Sequence, residues 1–68
     1  MPNHHLVEAI AGEIERNTKL IALYEEIGPV GTFGKIMIQA DIDNAKKALA
    51  SGDVVAIAQA YEAMKDNE

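Results

Sequence analysis

The stretch Ile27-Gly28-Pro29-Val30-Gly31-Thr32-Phe33-Gly34-Lys35 places three glycines in seven residues between two long segments with helical spacing. Gly28 followed by Pro29 stops a helix, since glycine takes the left-handed cap conformation and proline cannot continue the hydrogen-bond ladder. Thr32 is a candidate N-cap for a new one. The stretch is therefore a tight connection between two helices, and the rest of the fold reads outward from it.

Upstream, Val7, Ile10, Ile14, Ile21 and Tyr24 fall on alternating three- and four-residue steps, the seam of a coiled-coil-like helix. One step of that seam is polar, Asn17. Such a residue specifies register and oligomer state in coiled coils, or contacts a ligand in a polar pocket. Leu20, Leu23 and Ile27 widen the apolar face toward the helix end, as expected where more than one neighbour covers it. Asn3 is the candidate N-cap. Downstream, Ile38, Ile42, Ala45 and Leu49 form one stripe, with Phe33, Met37 and Ala40 beside it. Ser51-Gly52-Asp53 then gives a break and a fresh cap. Val54, Ile57, Ala58, Tyr61 and Met64 repeat the helical spacing, with Gln59, Glu62 and Asp66 opposite. The charged tail from Lys65 to Glu68 reads as frayed. No segment alternates as a strand does. The expected fold is all-α, one small helical domain over 1–68: an antiparallel hairpin of helices at about 4–27 and 33–50, with a short third helix at about 54–65 folding back across it.

Composition narrows the function classes. A chain of 68 residues without cysteine has neither a disulfide framework nor a Cys-based zinc cluster to support a marginal core, which leaves self-association or docking on a partner as the route to stability. Six basic against eleven acidic residues give a net charge of −5, and the basic ones are dispersed. Binding to a nucleic-acid backbone is disfavoured. The apolar runs fall far short of a membrane span, and Met1 to His5 do not start a signal peptide, so a cytoplasmic location is expected.

Two readings of the glycine stretch stand side by side. In one, the glycines let the chain reverse tightly and let Phe33 tuck inward. In the other, the amides of Gly31, Thr32, Phe33 and Gly34 point together at an anion, because a helix N-terminus carries roughly half a positive charge, and Lys35 adds a full one. The spacing excludes a nucleotide-hydrolysing P-loop: five residues separate Gly28 from Gly34, and Ile36 follows Lys35 where Ser or Thr is needed. Tyr24, Tyr61 and Phe33 are the rings available to stack on a ligand. His4 and His5 are neighbours whose side chains diverge on a helix and so cannot share a metal there. The pairs Glu25 and Glu26, and Asp41 and Asp43, do not face each other on a helix and read as solvated. Ser51 has no base at a recognisable spacing. With no nucleophile, base and oxyanion donor brought together, and no cofactor or metal implied, the chain reads as a non-catalytic binding protein.

The runs Tyr24-Glu25-Glu26-Ile27-Gly28-Pro29-Val30-Gly31-Thr32-Phe33-Gly34 and Ser51-Gly52-Asp53-Val54-Val55-Ala56 make the chain resemble small helical proteins encoded by tailed phages and prophages. More loosely, the layout is similar to helical-hairpin phage proteins that form oligomers and sequester cyclic nucleotide immune signals. That resemblance implies an anti-defence role in the bacterial cytoplasm and a homo-oligomer that holds a small phosphorylated ligand near hairpin ends and subunit interfaces; the residues expected to hold it, from the glycine stretch itself, are Gly31, Thr32, Gly34 and Lys35, with Tyr24 stacking. The chain differs from that group in its third helix and in lacking an Arg- and Glu-bearing start to the second. A protein-binding inhibitor or adaptor that sets an acidic face, including Glu8, Glu15, Glu25 and Glu26, against a host protein is the competing reading. A structural oligomeric phage component is a third.

Overall fold

A computed structural model describes residues 4–68 of the chain; Asn3, the expected first cap, lies outside them. Three helices are present: α1 (His4–Ile27), α2 (Thr32–Ser51) and α3 (Val54–Lys65). A single 3-10 turn, Pro29–Gly31, joins the first two. The hairpin of α1 and α2 and the return of α3 across it follow the sequence reading, with boundaries displaced by one residue at each end of α2.

Local chemistry fixes each break. Gly28 sits at φ 88°, a conformation that costs a side-chain-bearing residue dearly, and its amide donates to the Glu25 carbonyl at 3.1 Å. Pro29 then takes the first position of the 3-10 turn, where its missing N–H leaves no gap. Thr32 does not cap α2. It is already helical, and the capping position belongs to Gly31, which has no side chain to offer. The preceding 3-10 turn does the work instead, because it delivers the chain into α2 with the amides of Gly31 and Thr32 bonded to Gly28 and Pro29. At the second break Gly52 is left-handed, at φ 71°, and its amide donates to Ala48 and Leu49, while the Asp53 carboxylate accepts from the amides of Val55 and Ala56.

The core is aliphatic: Ile10 from α1, Ile38, Ile42, Ala45 and Ala48 from α2, and Ile57, Ala60 and Met64 from α3. Its alanines let the helix axes come close. Val7, assigned to the seam from its spacing, is instead 44% exposed, and Leu6 beside it packs against the core. Phe33, Met37 and Ala40 are likewise exposed and do not flank the buried stripe. Phe33 does not tuck inward.

The molecule measures 42 × 16 × 16 Å. Such elongation follows from unequal helices: α1 has 24 residues and α3 only 12, so at 1.5 Å per residue α3 covers about half the length of α1. The half nearest the glycine turn therefore has two helical layers where the other half has three.

Candidate functional site

The five residues singled out in the sequence, Tyr24, Gly31, Thr32, Gly34 and Lys35, come together at the closed end of the hairpin. Tyr24 organises that corner. Its carbonyl lies so close over Gly31, and its ring so close over Gly34, that a β-carbon at either position would clash. Its hydroxyl donates to the main-chain carbonyl of Glu68. The ring is thus engaged on one face by α2, and its hydroxyl by the chain's last residue.

The anion-binding elements are also engaged. The Gly31 amide donates to the Gly28 carbonyl at 2.9 Å, and the Thr32 amide donates to Pro29. Lys35 Nζ lies 3.1 Å from Glu25 Oε2 across the α1–α2 boundary. Both side chains are substantially exposed, so the pair adds about 0–1 kcal/mol to stability. Its larger effect is on the local field, since any anion at this corner must compete with a carboxylate already in place.

Toward the middle of the molecule lies a polar cluster that the sequence showed only as one interruption in a seam. Asn17 is completely buried. Its amide donates to the carbonyls of Glu13 at 2.8 Å and Met64 at 3.3 Å, and its oxygen accepts from Asn67 at 2.8 Å. Asn67 also donates to Asp41 on α2, at 3.0 Å. Arg16 donates to the carbonyls of Met64 and Lys65 and to the Glu13 carboxylate at 2.8 Å. Hydrogen bonding to Glu13 raises the Arg16 pKa above its ordinary value against an opposing desolvation, so this cation stays charged at any working pH. These bonds correct two expectations. The tail beyond Lys65 is held by groups from both α1 and α2, and Asn17 is satisfied within its own chain and does not face a partner helix. No sequence pattern links Asn17 to Asn67, fifty residues away, because their meeting depends on where α3 ends.

We find no family model, curated protein or solved structure that matches the chain. Function must be read from the surface itself.

That surface has one conspicuous feature. Leu23 (55% exposed), Ile27 (59%), Val30 (87%), Phe33 (74%), Ile36 (57%) and Met37 (51%) all lie around the glycine turn. Isolated exposed apolar residues are ordinary, but six large ones at one end of a small chain are not. The carboxylates of Glu8, Glu15 and Glu26 lie apart from them, exposed along an outward stripe of α1 at spacings of seven and eleven residues, with Lys19 interleaved. Elsewhere, an open cleft of about 270 Å³ between α2 and α3 is lined by Asn44, Lys47, Ala48, Ser51, Ala56 and Gln59. Ser51 is engaged in the interhelical break, its hydroxyl donating to Ala48 and accepting from the Asp53 amide. Among the described residues no helix is long and apolar enough to cross a membrane.

Proposed function

We propose that this is a non-catalytic protein-binding module that acts through the apolar end of its hairpin. The carrying observation is the exposed set Leu23, Ile27, Val30, Phe33, Ile36 and Met37, whose aromatic, methionine and branched side chains are suited to the desolvated centre of an interface. The resemblance to small phage proteins fits an inhibitor or adaptor that blocks a host protein. The acidic stripe of α1, set apart from the apolar end, then speeds and orients encounter with a basic surface. A photo-cross-linking amino acid at position 33 tests this. Discrete adducts should form in native cells and be lost when the label is moved to Val55. Equal labelling from both positions, or none from either, would sink the proposal.

A second reading, sequestration of a small phosphorylated ligand in the bacterial cytoplasm, is favoured by the gathering of Tyr24, Gly31, Thr32, Gly34 and Lys35 at one corner. It requires the ligand to displace Glu25 from Lys35. Native mass spectrometry of the purified protein should then show a nucleotide-sized adduct that Lys35→Glu abolishes and Glu25→Gln strengthens. A bare mass in all three proteins removes this reading.

A further inference from the structure

The apolar end is the continuation of the groove that α3 fills. On α1, Arg16 meets the last residues of α3, and Leu20, Leu23 and Ile27 follow it by four, seven and eleven residues, which places them on the same side of the helix. On α2, Asn44 and Ala48 line the cleft against α3, and Met37 precedes them by seven and eleven residues; Phe33 precedes Asn44 by eleven. In the same groove Glu68 accepts from the Tyr24 hydroxyl. Past Lys65, where α3 ends, only residues 66–68 follow over this layer, and Leu23, Ile27, Phe33 and Met37 are each more than half exposed.

We infer that a second copy of this chain completes that layer, two hairpin ends packing face to face about a two-fold axis as a short four-helix bundle. This inference rests on the reading of the apolar end as a contact surface. Area is the first argument. Covering Leu23, Ile27, Val30, Phe33 and Met37 at their observed exposures removes on the order of 600 Å² per copy from water, and hence roughly 1,200 Å² per pair, which reaches the size of a specific stable interface. Self-complementarity is the second. A two-fold contact sets one patch against itself, so like charges within it would repel. Between Arg16 and Ile27 on this side of α1, and between Phe33 and Met37 on α2, the groove residues are uncharged, while Glu8, Glu15 and Glu26 occupy another side. Leu23, Ile27, Val30, Phe33 and Met37 themselves carry no charge, so a two-fold contact centred on them sets no carboxylate against its copy at the centre, and Glu68 beside Tyr24 borders it. Antiparallel placement puts Leu23 and Ile27 of one copy against Phe33 and Met37 of the other, the short-loop helical packing that such hairpins favour.

Sedimentation equilibrium of the full chain over about 5–500 μM tests the inference. Twice the 7.3 kDa monomer mass should dominate at high concentration, with half-dissociation inside the range covered. Met37→Glu and Phe33→Ser should each weaken association by at least about tenfold, as loss of a central apolar contact does. Both side chains are more than half exposed, and circular dichroism verifies that helicity is retained. Val55→Glu, on the exposed first turn of α3, should leave the mass unchanged. A monomer throughout, or a dimer indifferent to both groove variants, overturns the inference. If a monomer still cross-links to another protein from position 33, only the second copy is overturned and the contact surface stands; a monomer that cross-links to nothing overturns both.

Discussion

Tyr24 and Asn17 show how one side chain changes meaning once its neighbours are known. On the helix seam both read as members of an apolar stripe, one with a polar tip and one as an interruption. In the fold, Tyr24 sits over Gly31 and Gly34, and Asn17 joins α1 to the end of α3. Gly34 consequently has an unusual mutational sign. Glycine to alanine inside a helix ordinarily stabilises by about 1 kcal/mol, but here the new β-carbon meets the Tyr24 ring, whose hydroxyl is tied to Glu68. Gly34→Ala should destabilise the protein by about 1–3 kcal/mol, the usual range for overpacking, and thermal melts read this directly; a rise in Tm would show that the ring moves freely. Asn17→Ala removes one of the two acceptors of Asn67 and the donor to the Met64 carbonyl, and opens a hole in the core. A loss of about 2 kcal/mol, or a Tm lower by roughly 10 °C for a domain this small, is expected by calorimetry.

At the scale of elements, the helix ends matter more than the helix interiors. The apolar periodicities are strong enough that α1, α2 and α3 are legible in sequence to within a residue or so. The Gly52 and Asp53 cap pair is legible too, because the residue types are specific to their backbone roles. The start of α2 is less so: Thr32 has the chemistry of a cap, yet a 3-10 turn seeded by Pro29 takes the chain into the helix one residue early. Asp53→Ala should cost about 1 kcal/mol, appearing as faster amide exchange at Val55 and Ala56, whose donors lose their acceptor. The tail gives a prediction of the opposite kind. If it were frayed, removing Asn67 and Glu68 would cost nothing. Because Asn67 bridges Asn17 and Asp41, and Glu68 holds Tyr24, truncation after Asp66 should lower Tm by several degrees, with exchange rising around Asn17 and Tyr24.

For the whole molecule the decisive quantity is a mismatch of lengths. A hairpin whose third helix covers only one half carries a complete core at one end and an incomplete one at the other. The widening of the α1 stripe at Leu20, Leu23 and Ile27 signals a further neighbour; among the described residues the core supplies one for Leu20, while Leu23 and Ile27 stay more than half exposed. Where a second copy supplies theirs, folding and association are linked and stability depends on concentration. The Tm should then climb by a few degrees for each tenfold rise in protein concentration, and this slope should vanish in Met37→Glu. A concentration-independent Tm in the wild-type protein would mean that the exposed end is stable uncovered.

Sequence alone determined the helices, their order and their breaks, because these depend on spacing along one chain and on residues such as Gly28, Gly52 and Asp53 whose backbone preferences act locally. It also placed Tyr24, Gly31, Thr32, Gly34 and Lys35 in or beside one connection. Only the tertiary structure decided what those residues are free to do, since Glu25, Gly28, Pro29 and Glu68 engage four of them and the ring of Tyr24 closes over the remaining glycine. It likewise decided which apolar face is core and which is surface. Periodicity gives each helix its stripes, but the partner helix must be present to choose among them, and α3 stops too soon to cover Leu23, Ile27, Phe33 and Met37.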